Sequence, residues 1–362
     1  MRSIIHLLAA TSLAIAGASA AHAQTEASFP HKEGDYIVKN FKFDDGETLD
    51  TLKLHYTTLG TPVRDKSGRV TNAVLIMHGT GGDGHQFFRP QFADVLFVPG
   101  GLLDIRKYYI ILPDEIGHGK SSKPSNGMHT AFPNYDYKDM VEADHELVTK
   151  GLNVNHLRLV MGTSMGCMHS FMWGEMWPDF MDALMPLACE PTQIAGRNRM
   201  WRKMVIDGIR SDPAWDGGEY KTEPQQGLRI AADMLIIAGS AAHQMQKAFP
   251  SRDEADKELS DLTSHYLSEL DANDILYQVG ASRDYDPSAN IESIKVPTMW
   301  VNSADDFINP PDLGIAEDFA ARNPKIKYVV IPTSDQTHGH GTHTWAAVWH
   351  DQMAELLKET EH

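Results

Sequence analysis

The chain has 362 residues, of which 42% are hydrophobic and 22% charged, and its formal net charge is -17. This composition is typical of a globular protein with one large domain, or one domain that carries an insertion. The strong negative charge argues against partners such as nucleic acid or anionic membranes, because both would repel an acidic surface.

The N-terminus has the pattern of a secretory signal peptide. Arg2 supplies a positive charge, residues 4–16 are mostly apolar, and Ala21-His22-Ala23 is a small-x-small cleavage sequence. The apolar run is shorter than the roughly 20 residues that a membrane helix needs. We therefore predict a signal peptide at 1–23, cleaved after Ala23, and a periplasmic or secreted mature protein without membrane insertion.

The rest of the chain alternates short apolar segments with amphipathic ones. This alternation predicts a mostly parallel central sheet with helices on both faces. Asp45-Gly46 would form the turn between the first two strands. The predicted strands are 36–43, 51–60, 73–77, 108–112, 157–161, 183–188, 298–301 and 328–331, and the predicted helices are 140–151, 165–177 and 344–358.

The alternation fails over residues 190–290, which are helical in character and interrupted by prolines and glycines. We predict a helical cap there, inserted between the two parts of the sheet domain at 24–189 and 291–362. The large apolar residues of the cap lie in one segment and either form its core or line an acyl pocket. They are Met200, Trp201, Met204 and Trp215.

The strongest motif is Gly162-Thr163-Ser164-Met165-Gly166, between a predicted strand and a predicted helix. That is the setting of a nucleophile elbow, in which a strained turn makes the serine hydroxyl project from the sheet edge. The glycines allow neighbouring chain to approach closely. We predict Ser164 as a nucleophile, and the alternative is a structural serine on a tight turn.

A serine nucleophile needs a base, and after this kind of elbow the acid and then the histidine follow along the chain. The acid is expected just after a late strand, where Asp305 and Asp306 compete. Asp306 lies further into the loop, four residues before Pro310, and we assign it the role of the acid. Asp305 would then be a turn or capping residue.

Three histidines after the last predicted strand compete for the role of base: His338, His340 and His343. Glycines on both sides of His340 would let the loop place its ring over the serine, so we choose His340. The cluster also suggests a metal site, but Thr342 replaces the aspartate usual before the third histidine, and no second ligand cluster is evident. We expect neither a metal nor a cofactor.

The oxyanion of an acyl transfer needs two preorganised N–H donors. We expect one from Met165, directly after the nucleophile, and one from Thr80 in the glycine-rich segment 78–82. The alternative is that this segment is an ordinary glycine-rich turn. Residues 114–121 resemble a phosphate loop, but Asp114 stands where that motif requires glycine. We interpret that segment as a loop at the mouth of the site, with His118 in a structural role.

The two cysteines are expected near each other in space. Cys167 lies in the first turn of the elbow helix, and Cys189 ends the strand predicted next to it. Whether they can pair depends on a Cα separation that the sequence does not provide. We interpret both as buried free thiols, because an exported protein of this size needs no disulfide framework.

From about residue 73 to its end, the chain resembles the homoserine O-acetyltransferase-like family of α/β-hydrolases, in an exported hydrolase branch. The matching motifs are Gly-Thr-Ser-Met-Gly-Cys-Met at 162–168, the loop from Asp306 to Pro310-Pro311, and Gly339-His340-Gly341-Thr342. The resemblance implies an α/β-hydrolase fold with a helical cap, and acyl transfer through an ester on Ser164.

Two departures from that family concern the acceptor of the acyl group. The segment 78–81 is His-Gly-Thr-Gly where the transferases usually have His-Ala-Leu-Thr, and Cys167 stands where glycine is usual. The transferases use acetyl-CoA in the cytoplasm, and this chain carries an export signal. These differences favour water as the acceptor.

We therefore expect an exported serine hydrolase that acts on a small-molecule carboxylic ester or lactone. A homodimer is compatible with the sequence. An acyltransferase to a small hydroxyl acceptor remains the alternative, since both enzymes form the same acyl-enzyme. A binding protein that kept only the fold would not need serine, aspartate and histidine in this order.

Overall fold

The computed structural model describes residues 28–361, so the predicted signal peptide lies outside the described residues. A single sheet has the strand order β1-β2-β4-β3-β5-β6-β7-β8. β1 and β2 form an antiparallel hairpin, β2 is antiparallel to β4, and the strands from β4 to β8 in that order run parallel. The strands are β1 (His31–Lys42), β2 (Thr48–Leu59), β3 (Ala73–Met77), β4 (Tyr109–Pro113), β5 (Leu159–Thr163), β6 (Leu184–Leu187), β7 (Thr298–Ser303) and β8 (Ile326–Ile331).

Helices cover both faces of this sheet. Alternate residues of β3 join different apolar clusters: Leu75 packs with residues of α2 and α3, whereas Val74 and Ile76 pack with residues of α1 and α10. Burial on both faces explains why the central strands are continuously apolar. This arrangement confirms the predicted fold class. The helices are α1 (Pro90–Leu96), α2 (Tyr137–Glu146), α3 (Met165–Met176), α4 (Gly196–Ser211), α5 (Gln225–Gly239), α6 (Ala242–Ala248), α7 (Arg252–Glu269), α8 (Ala272–Gly280), α9 (Ile315–Arg322) and α10 (Ala346–Glu359).

The helix predicted at 140–151 has a different start and a different last turn in the structure. It begins at Tyr137, because the Asp136 side chain caps it by accepting the N–H of Asp139, and it continues as a π-helical turn over Leu147–Gly151. The short helices α1 and α9 were not predicted, since one or two turns carry too little periodicity to be recognised.

The segment between β6 and β7 contains α4 to α8, and residues of α4, α5, α7 and α8 form an apolar cluster of their own. Trp201 is 4% exposed within that cluster, whereas Met200 and Met204 are 59% and 47% exposed. These side chains were expected either to form the core of the cap or to line an acyl pocket. Trp201 belongs to the core. Among the described residues, no helix combines the length and apolar character that crossing a bilayer requires.

The helical segment from α4 to α8, called the cap below, contacts the loops at the carboxyl ends of the parallel strands. Phe307 and Ile308, which follow β7, pack against the cap cluster. The Gln244 amide donates to the Thr337 carbonyl at 2.9 Å after β8, and the Gln278 amide donates to the Gly117 carbonyl at 2.8 Å after β4. The cap is thus fixed to three loops at one sheet edge, which is where open α/β sheets bind ligands.

Candidate active site

Ser164 occupies the turn between β5 and α3, with φ 55° and ψ -107°, a strained conformation for a residue that has a Cβ. The turn is tight. A Cβ on Gly162 would lie 2.2 Å from the Gly166 carbonyl oxygen, and a Cβ on Gly166 would lie 2.1 Å from that of Met77. Both positions therefore require glycine. Ser164 is 7% exposed and precedes α3, whose N-terminus favours negative charge.

Ser164, His340 and Asp306 form one hydrogen-bonded chain. The Ser164 Oγ lies 2.8 Å from His340 Nε2, and His340 Nδ1 lies 2.8 Å from Asp306 Oδ2. A carboxylate only accepts hydrogen bonds, so Nδ1 carries the proton and Nε2 accepts the hydrogen bond from the serine. This geometry can remove the proton of the serine hydroxyl as the hydroxyl attacks a carbonyl carbon.

The Asp306 carboxylate is 3% exposed and held by its own loop. Its Oδ1 accepts the backbone N–H groups of Ile308 at 2.7 Å and Asn309 at 3.2 Å. The Asn309 amide donates in turn to the Ala188 carbonyl at 3.0 Å, at the end of β6. These bonds fix both the orientation of the carboxylate and the position of its loop on the sheet edge.

The neighbouring Asp305 lies against the loop that bears His340. Its Oδ2 is 3.0 Å from the Thr337 hydroxyl, and the Ser303 hydroxyl donates to its Oδ1. Asp305 therefore bridges the loop that bears Asp306 and the loop that bears His340. The sequence suggested a turn or capping role for this residue but did not indicate a link between the loops.

The other two histidines of the base segment have different surroundings. His338 stacks on Trp345 with ring centroids 3.8 Å apart, and His343 lies edge-on to His340 at 5.1 Å. Burial lowers the pKa of both rings, which favours their neutral forms. Within residues 28–361, no group of three or more His, Cys, Asp or Glu residues is arranged to hold a metal ion.

The segment that contains Thr80 follows β3 and lies against the elbow. A Cβ on Gly79 would lie only 3.3 Å from the Ser164 Cβ. The Gly79 carbonyl oxygen accepts hydrogen bonds from His78 Nδ1 at 2.9 Å and from the Gly82 N–H at 3.0 Å. Because the N–H of a trans peptide points opposite to its carbonyl, these bonds also fix the direction of the Thr80 N–H.

His78 is fixed on its other side as well. Its Nε2 accepts the backbone N–H of Glu115 at 3.1 Å, so Nδ1 must carry the proton that is donated to Gly79. Burial lowers the pKa of His78 to about 4, which keeps this donor–acceptor pattern at neutral pH. The His78 carbonyl accepts the Gly166 N–H at 3.0 Å and so joins the segment to α3.

The loop 114–121 lies beside the segment that contains Thr80. Asp114 accepts the N–H of Gly84 at 2.9 Å and that of Lys120 at 2.8 Å, and so joins this loop to the chain after the Thr80 segment. His118 is 1% exposed, and burial lowers its pKa, in keeping with a structural role.

Sequence reasoning missed a buried polar pair beneath the elbow helix. Glu115 Oε1 lies 3.1 Å from His169 Nδ1, and both side chains are fully buried. Burial raises the pKa of Glu115 to about 8 and lowers that of His169 to about 3. The pair connects α3, five residues after Ser164, to the loop after β4. A histidine inside a mostly apolar helix was the available signal.

A profile of the alpha/beta hydrolase fold matches residues 72–336, which is more than half of the chain. The match includes the elbow at Ser164 and the loop that bears Asp306. The chain belongs to the α/β-hydrolase family.

Relatives of this α/β-hydrolase include acyltransferases. A probable acyltransferase of Methanothermobacter thermautotrophicus is 28% identical over 84% of this chain and 91% of its own length. A homoserine O-acetyltransferase of Haemophilus influenzae is 30% identical over 69% of this chain and 75% of its own length. The chain is an enzyme of the α/β-hydrolase superfamily, of the esterase or acyltransferase kind.

Solved structures share the fold of this α/β-hydrolase at lower identity. An acetylester hydrolase from Corynebacterium glutamicum superposes with a TM-score of 0.79 and 22% identity, covering 90% of this chain and 96% of its own. At that identity the likeness concerns the fold alone.

The two cysteines of this α/β-hydrolase are paired, and the interpretation as free thiols is wrong. Cys167 and Cys189 form a disulfide with Cα atoms 5.8 Å apart. β5 and β6 are neighbours in the sheet, and α3 packs back over both strands. The first turn of α3 therefore lies on the end of β6, a proximity that the sequence indicated without giving the separation that permits a bond.

Proposed function

We propose that this enzyme is an exported serine hydrolase that cleaves a carboxylic ester or lactone through an acyl-enzyme on Ser164. The observation that carries the proposal is the continuous hydrogen-bonded chain Ser164–His340–Asp306 on a strained elbow. A buried serine merely capping a helix would need neither a histidine nitrogen at its hydroxyl nor a carboxylate behind that histidine.

In the first half of the reaction, Ser164 Oγ bonds to the ester carbonyl carbon while His340 Nε2 takes the hydroxyl proton. The carbonyl oxygen becomes an oxyanion, for which the N–H groups of Thr80 and Met165 are the donors. The C–O bond to the alcohol then breaks, and His340 returns its proton to the departing oxygen. Asp306 stabilises the imidazolium without taking the proton.

In the second half, water replaces the alcohol. His340 takes one proton of the water as its oxygen bonds to the acyl carbon. The bond to Ser164 Oγ then breaks, the proton moves to the serine, and the carboxylic acid leaves. A lactone follows the same path, with the alcohol and the acid released as one molecule.

Export is supported by the N-terminal signal pattern and by the Cys167–Cys189 disulfide, since disulfides persist mainly in oxidising compartments. Acetyl-CoA is not expected there, which favours water as the acceptor. Fractionation of cells that express the full chain tests this point. Mature protein in the periplasm or medium, with Gln24 at its N-terminus, is expected, and full-length protein in the cytoplasm would contradict export.

The second candidate is transfer of the acyl group to a small hydroxyl acceptor, which the acyltransferase names of the relatives favour. Both reactions share the acyl-enzyme, so only the product distinguishes them.

The deciding experiment has two steps. Fluorophosphonate labelling, with Ser164→Ala as the control, should modify the wild-type enzyme at Ser164 and leave the variant unlabelled. The products of a panel of esters and lactones are then analysed with and without an amino alcohol. Free acid in both conditions supports the hydrolase, whereas acyl-amino-alcohol as the main product would favour the transferase. Turnover by a folded Ser164→Ala protein would refute the serine mechanism.

A further inference from the structure

The hydroxyl of Thr80 is a buried polar group with no partner. Thr80 is 2% exposed, and its Oγ1 makes no hydrogen bond in the part of the chain that the structure describes. Buried hydroxyls are nearly always hydrogen-bonded, because leaving one unpaired away from water is unfavourable. A group of this kind at the edge of an active site calls for an explanation.

The location of Thr80 suggests what its hydroxyl binds. The preceding residue, Gly79, is so close to the nucleophile that a Cβ there would lie 3.9 Å from Ser164 Oγ. The Gly79 carbonyl is occupied by His78 and Gly82, which fixes the peptide that ends in the Thr80 N–H. Oγ1 is three bonds from that nitrogen, and staggered rotamers keep the two atoms within about 4 Å of each other.

We propose that the Thr80 hydroxyl is a third hydrogen-bond donor to the oxyanion, beside the backbone N–H groups of Thr80 and Met165. The inference rests on the serine mechanism proposed above. The hydroxyl keeps its proton throughout, and no bond is made or broken at Thr80. Its hydrogen bond forms when the carbonyl oxygen of the substrate becomes negatively charged, so it contributes most in the transition state.

This role differs from a packing role for the same side chain. A packing role depends on the β-branched shape and would be kept by valine. A donor role depends on the hydroxyl and would be kept in part by serine. Two matched pairs separate these contributions, because Thr80 against Thr80→Val and Thr80→Ser against Thr80→Ala each differ in the hydroxyl at nearly constant shape.

The experiment measures kcat and KM of the four proteins with an activated acetyl ester such as 4-nitrophenyl acetate. We expect kcat to fall on the order of a hundredfold within each pair, as for loss of an oxyanion donor, with KM changing much less. Folding is checked by near-ultraviolet circular dichroism, and if Thr80→Val does not fold, the Ser/Ala pair gives the same comparison.

Binding of a boronic acid supplies a second measurement, because its tetrahedral adduct on the serine carries the oxygen that the donors would contact. The adduct should bind more weakly when the hydroxyl is removed. Equal kcat and equal adduct affinity within both pairs would overturn the inference. The Ser164→Ala variant, measured in parallel, distinguishes the two proposals. If Ser164→Ala is inactive and kcat and adduct affinity are equal within both Thr80 pairs, only the role of Thr80 is refuted. If a folded Ser164→Ala is active, the serine mechanism itself is refuted.

Discussion

The backbone N–H of Gly339 donates a hydrogen bond to Asp305 Oδ2 at 3.0 Å, one residue before His340. The adjacent Asp305 and Asp306 therefore hold His340 in different ways. Asp306 orients the imidazole ring, and Asp305 fixes the backbone that carries it. Gly339 has φ 57°, a left-handed conformation that suits glycine and lets the chain turn toward this carboxylate.

Asparagine substitutions at the two aspartates should separate these roles. Asp306→Asn should lower kcat by about 10⁴-fold, because an amide at this position favours the wrong tautomer of His340. Asp305→Asn keeps an acceptor oxygen for Gly339, so we expect a loss on the order of tenfold. Steady-state kinetics with one ester measures both. An Asp305→Asn enzyme that is more impaired than Asp306→Asn would show that the assignment is reversed.

His78 should act as a positioning residue for the Thr80 segment. In His78→Asn the side-chain amide can replace Nδ1 as donor to the Gly79 carbonyl, whereas His78→Leu has no donor. We expect kcat to fall on the order of a hundredfold in His78→Leu and clearly less in His78→Asn, with similar KM values in both. Equal kcat losses in two folded variants would mean that His78 fills space and does not direct the peptide.

Much of the fold was predictable because the central strands are buried on both faces. Val74 and Leu75 belong to different apolar clusters, so β3 appears in the sequence as an uninterrupted apolar run. The elbow was recognisable because Gly162 and Gly166 meet steric demands that no other residue satisfies. Signals of this kind arise within a few consecutive residues and can therefore be read locally.

The parts that the sequence did not reveal depend on distances between remote segments. The bond between Asp305 and Gly339 joins residues 34 positions apart, and the pair of Glu115 and His169 joins residues 54 positions apart. The partner of each of these residues lies far away along the chain, and its role follows only once the sheet has brought the segments together. The pairing of the cysteines also depends on such a distance, because it requires the first turn of α3 to lie on the end of β6.

The disulfide should contribute substantially to stability. Cys167 and Cys189 are 22 residues apart, and closing a loop of that size in the unfolded chain corresponds to about 3 kcal/mol. The double variant Cys167→Ala/Cys189→Ala should lower the free energy of unfolding by roughly this amount. Urea denaturation measures it, with reduced and oxidised wild-type protein as controls. An unchanged free energy of unfolding would show that the bond does not restrict the unfolded state.

The last prediction concerns Glu190, which follows Cys189 at the end of β6. Its Oε1 accepts the Asn302 amide at 3.3 Å, and its Oε2 is buried without a hydrogen bond within the described chain. Burial raises the pKa of Glu190 to about 8, and the negative charge of the nearby Asp306 adds to the effect. The buried carboxyl is therefore protonated at pH values where the same group in the unfolded chain is ionised.

The sign of the effect on stability follows from proton binding. Between the usual pKa of 4.5 and about 8, the folded protein binds more protons at Glu190 than the unfolded chain does, so this group's contribution to stability decreases as the pH rises. Glu190→Gln keeps the shape and cannot ionise, so its free energy of unfolding should fall less between pH 5 and pH 9. Glu219→Gln removes an exposed carboxyl and serves as the matched control. Urea denaturation at both pH values tests the prediction, and parallel losses in wild type and Glu190→Gln would mean that Glu190 is ionised in the folded enzyme across this range.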